Sequence, residues 1–112
     1  MEIKFLDFVR FIENSTCIDE LRIKCDLIYG VDFEVILDKF FQIFKTSISY
    51  DFIKNLDLKS LSHYLTYIAK SFEESHKIYI QKSVNYETTH IRYTDEYYLP
   101  ECAKIENISI NI

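Results

Sequence analysis

At 112 residues, with 48% hydrophobic and 28% charged side chains, the chain has the material for one domain with a core and is too apolar to be disordered. Its net charge of −5 comes without any basic block, which argues against nucleic-acid binding and against docking on an acidic membrane surface. A single Gly rules out a P-loop or dinucleotide fingerprint, and with a single Pro it implies short loops between long regular elements.

The hydrophobic pattern predicts an α+β fold, with five helices (3–14, 17–29, 33–45, 50–56, 58–75) followed by a small antiparallel sheet of three strands (77–82, 88–94, 104–111). All of it reads as a single domain, 1–112, with a helical body over 1–76 and a β-rich part over 77–112. In the first helix Lys4, Asp7, Arg10 and Asn14 form a narrow polar stripe. Ile3, Phe5, Leu6, Phe8, Val9, Phe11 and Ile12 fill the remainder, so this helix must be covered on more than one side, by the fold or by a partner.

Ser15 and Thr16 offer N-caps to the second helix, whose core stripe is Ile18, Leu21, Cys25 and Ile28. Gly30 suits a left-handed C-terminal cap, and Asp32 can cap the third helix. Phe33, Leu37, Phe40 and Phe44 give that helix a wide aromatic face. Asp57 caps the fifth helix, where Leu58, Leu61, Leu65, Ile68 and Phe72 form a seam. From Lys77 the spacing shifts to two, with Ile78 and Ile80 on one face, then Thr89, Ile91 and Tyr93. Ile108, Ile110 and Ile112 share a face at the end, and the parity of Ile105 calls for an irregular start near Asn107.

Motifs for chemistry are missing. The histidines, His63, His76 and His90, lie far apart, and no paired-cysteine spacing suggests a metal, so neither metal nor cofactor is expected. Glu73 and Glu74 are neighbours that point to different sides of their helix and read as solvated charge. Three cysteines (Cys17, Cys25, Cys102), the absence of a secretory start and the lack of a long apolar run point to a cytoplasmic chain, of a bacterium or of a host cell if virus-encoded. Ten Lys against three Arg, with abundant Ile, Phe, Tyr and Asn, match a low-GC genome.

Two features stand above background. Asp19, Glu20, Asp26, Asp32, Glu34 and Asp38 surround the turn at Gly30, and residues 1–45 hold nine acids against six bases. Five of nine tyrosines follow residue 76, and Asp95, Glu96, Tyr97 and Tyr98 precede Pro100 as an acidic-aromatic loop. These ten residues are the candidate partner-binding set, for a protein with a basic surface and not for nucleic acid or membrane. In general character the chain looks like bacterial immunity proteins, antitoxins and phage-encoded inhibitors of host defence, which are likewise short, acidic and motif-poor. That likeness is one of type and carries no site residue. The expected function is a non-catalytic inhibitor of another protein. The alternatives are a structural protein that forms homodimers through 3–12 or 108–112, and an enzyme whose site carries no motif.

Overall fold

The computed structural model describes residues 1–46, 51–52, 55–87 and 99–112, with backbone alone for 79–87. Among these residues the chain is mostly helical with a small antiparallel sheet: β1 (Glu2–Lys4), α1 (Phe5–Glu13), α2 (Ile18–Tyr29), α3 (Phe33–Phe44), α4 (Leu58–Glu87) and β2 (Ser109–Asn111). Two short 3-10 turns, Glu101–Ala103 and Ile105–Asn107, lead into β2.

The first helix begins later than its pattern predicts, because residues 2–4 are a strand. β1 pairs with β2, with Glu2 opposite Asn111, Ile3 opposite Ile110 and Lys4 opposite Ser109. The Phe5 N–H donates to the Ile108 carbonyl, so the chain passes from ladder to helix without a loop. No local window can reveal a strand whose partner lies about a hundred residues away. The expected third strand, 104–111, shortens to 109–111, and the irregular start near Asn107 is a 3-10 turn.

The largest correction concerns residues 77–82, predicted as a strand and found inside α4, which runs 30 residues to Glu87. Nothing in 58–87 breaks a helix, since neither Gly nor Pro occurs there. Lys77 pairs with Glu73 at i,i+4 and with Glu74 at i,i+3, which supports helix through the point where the apolar spacing changes. Ile78 is 53% exposed. The expected strand 88–94 lies outside the described residues. Part of the expected helix 50–56 lies outside them too; within it Asp51 and Phe52 have helical backbone, and residues 55 and 56 form a turn and a bend.

Capping follows the sequence in part. Gly30 takes the left-handed conformation at φ 66° and its N–H donates to the Asp26 carbonyl. The Asp57 carboxylate accepts the Ser60 N–H at 2.7 Å and starts α4. Asp32 occupies the N-cap of α3, but its side chain makes no capping bond. The N-cap of α2 is Cys17 rather than Ser15 or Thr16. The Cys17 sulfur accepts the Glu20 N–H, and the Glu20 carboxylate reaches back to the Thr16 N–H.

A phenylalanine cluster joins α1 to α3. Phe5 meets Phe40 and Phe44 edge-on, both at 5.3 Å between ring centroids, and Phe8 stacks on Phe40 at the same distance. Each buried ring contributes about 1.5–3 kcal/mol from its area alone. α1 also packs along α4, where Leu61, Leu65 and Ala69 are buried. The apolar surface of α1 is therefore covered within the chain: Phe5, Phe8, Val9 and Ile12 are buried, and Leu6 and Phe11 pack against the same core. Ile3, Ile108 and Ile110 from the two strands join this cluster.

Candidate functional site

The acidic residues fall on the α2–α3 hairpin, but the structure does not gather them into one cluster. Asp26 lies in the last turn of α2, and Asp32 and Glu34 open α3 beyond Gly30. Asp19 and Glu20 stand at the other end of α2, about 10 Å along its axis from Asp26. Glu34 and Glu20 are held in ion pairs within the hairpin. Arg22 of α2 bridges to Glu34 of α3 at 2.8 Å, and Glu20 pairs with Lys24 one turn on. Hydrogen bonds from Lys24 and Thr16 hold the Glu20 carboxyl down at about 2. Asp19, Asp26, Asp32 and Asp38 are exposed. Asp95, Glu96, Tyr97 and Tyr98 lie outside the described residues.

Beside these acids is a feature the sequence reading missed. Ile23 and Leu27 stand one turn apart on α2 and are 61% and 78% exposed. They occupy the side opposite Leu21 and Cys25, which are fully buried. Ile28, expected in the core stripe, is instead 57% exposed at the end of the helix. The signal was present: α2 carries apolar residues at i,i+4 spacing on two opposite faces, and a helix on the surface of a small fold can bury only one.

A cleft of about 480 Å³ opens between the end of α1 and the start of α4, lined by Glu13, Ser15, Thr16, Asp57, Ser62 and His63 among others. It contains the residue types of a nucleophilic site, so the wiring decides what it can do. Ser15 donates to the Phe11 carbonyl at 3.0 Å, Ser62 to the Lys59 carbonyl at 3.1 Å, and Thr16 to the Glu20 carboxylate. Each hydroxyl is thus directed to its own helix or cap, and none donates to His63, which is exposed. A second groove, of about 430 Å³, lies between α3 and α4 and is lined by Phe44, Tyr64, Tyr67, Phe72 and His76. The His76 ring lies 4.2 Å from that of Phe72, tilted by 53° to it, and its Nδ1 lies 2.8 Å from the Phe72 carbonyl oxygen.

Among the described residues no group of three His, Cys, Asp or Glu side chains is placed to hold a metal ion. No described helix is long and apolar enough to cross a membrane. Cys17 and Cys102 are exposed, whereas burial, with the Glu34 charge nearby, pushes the buried Cys25 thiol up to about 11. Glu73 is not solvated helix charge. Its carboxylate accepts the Ile105 N–H at 2.8 Å and ties the C-terminal segment to α4.

Compared with family models, with curated proteins and with solved structures, the chain matches none.

Proposed function

We propose that this chain is a protein-binding module that works by occupying a basic surface on another protein, as an inhibitor does. One observation carries the reading: the outer face of α2 leaves Ile23 and Leu27 largely in water beside the exposed acids Asp19 and Asp26. Single exposed apolar residues are ordinary on a protein surface, but a grouped pair with a charged margin is the pattern of an interaction site. The apolar side chains supply contact area and the acids steer a basic partner toward it. The self-association alternative has less material, because Ile3, Phe5, Phe8, Val9, Ile12, Ile108 and Ile110 are already covered within the chain.

The test is affinity capture from the native cell by the wild-type chain and by an Ile23→Asp/Leu27→Asp variant, with molar mass by light scattering on the same preparations. The expected result is one basic protein held at a fixed ratio by the wild type and lost by the variant. A stable oligomer of the chain without a second protein would overturn the reading and favour the structural alternative.

A further inference from the structure

The two margins of the exposed face on α2 differ in charge. On the first, Asp19 and Asp26 are exposed, and the base of α2 on that side, Arg22, reaches across to Glu34 of α3. On the second, Glu20 and Lys24 neutralise each other. The apolar stripe of Ile23 and Leu27 thus has one acidic margin and one neutral margin.

We infer that this face receives an amphipathic helix of the partner protein, with an apolar seam bordered by Lys or Arg on one side only. The inference rests on the protein-binding reading above and specifies what occupies the surface. Side chains four residues apart on a helix form a ridge, and the surface that accepts a ridge is the groove between ridges of a second helix. The acidic margin sets the charge of the incoming helix, and the neutral margin sets which way round it lies. A second copy of the chain fits less well. Antiparallel two-fold pairing of α2 with itself sets each margin against the same margin of the copy, so Asp19 and Asp26 would meet their own equivalents. The same two acids disfavour an anionic membrane surface.

The experiment uses the full chain, isotopically labelled, and two synthetic amphipathic peptides of about five helical turns. Both carry the same leucine seam; one has lysines along one margin and the other has glutamates there. The lysine peptide should bind at least about tenfold tighter and should shift the amide signals of Asp19, Ile23, Asp26 and Leu27. Leu27→Asp should weaken it by about tenfold or more. Asp19→Asn/Asp26→Asn, which leaves the apolar surface intact, should remove most of the preference for lysine. Equal affinity for the two peptides, binding of neither, or shifts centred away from α2 would overturn the inference. A cellular partner still captured by the Leu27→Asp chain overturns the helix assignment alone and leaves the protein-binding reading standing. Lysine-peptide binding at α2 with no protein captured from the cell removes that broader reading and keeps the assignment of the surface.

Discussion

The Glu73 carboxylate accepts the backbone N–H of Ile105 at 2.8 Å, across 32 residues of sequence. This bond holds the segment that leads into β2 against the middle of α4. Removing the acceptor leaves a partly buried N–H without its partner, which costs about 1–3 kcal/mol. Glu73→Ala should therefore speed hydrogen exchange at Ile105 and in β2, whereas Glu73→Gln, which keeps an acceptor oxygen, should leave much of the protection. Unchanged exchange at Ile105 in the alanine variant would show that the carboxylate holds nothing.

Phe40 joins the two helices of the aromatic core, with its ring 5.3 Å from both Phe5 and Phe8 and no exposure to solvent. Phe40→Ala should lower stability by about 3–5 kcal/mol through lost burial and an unfilled cavity. Leu27→Asp, on the open face of α2, should stay within about 0.5 kcal/mol of the wild type. Urea denaturation of the two variants compares them directly. A large loss from Leu27→Asp would mean that this face is covered within the chain.

Acid should weaken the start of α2. The Glu20 carboxyl is lowered from its ordinary 4.5 to about 2 by Lys24 and Thr16. A group depressed in the folded state adds stability that is fully present above its unfolded value and is lost as pH falls through the folded one. The thermal midpoint should therefore fall between about pH 4.5 and 2. Asp57, held down by Ser60, and Glu101, held down by Lys104, add to the same decline. Glu20→Gln should flatten the profile in this window, and a profile as steep as the wild type's would contradict the assignment.

The three cysteines should separate by reactivity. Cys17 and Cys102 are exposed, and Cys25 is buried with its thiol pushed up to about 11. Only thiolate reacts readily with an alkylating reagent. Mass spectrometry of briefly alkylated native chain should find Cys17 and Cys102 modified and Cys25 intact until denaturant is added. Modification of Cys25 at the same rate as the others would place it at the surface.

Much of the helical body is legible in the order of residues. The Phe33–Leu37–Phe40–Phe44 face, the Leu61–Leu65 seam, the left-handed Gly30 and the Asp57 cap all follow from spacing and local hydrogen bonding, and each involves neighbours within one or two turns. The same reading fails at Lys77. There a change of apolar period suggested strands, while ion pairs to Glu73 and Glu74 and the lack of any breaker carry the helix on. The acidic residues of the candidate surface were visible as composition. The buried stripe of α2 at Leu21 and Cys25 was legible too, but the open face of Ile23 and Leu27 was not, because apolar spacing alone does not say whether a second face is covered by the rest of the chain.

Sequence alone determined the helical character of residues 5–13, 18–29, 33–44 and 58–75, the places where α2 ends and α4 starts, and the acidic balance, since all of these depend on residue type and on contacts a few positions apart. Tertiary structure decided the rest. The pairing of Ile3 with Ile110 makes a strand from a stretch whose own pattern favours helix. The packing of α2 through Leu21 and Cys25 leaves Ile23 and Leu27 in water. Both outcomes depend on surfaces supplied by distant parts of the chain, and only their meeting in three dimensions selects which apolar side chains form the core and which remain available to a partner.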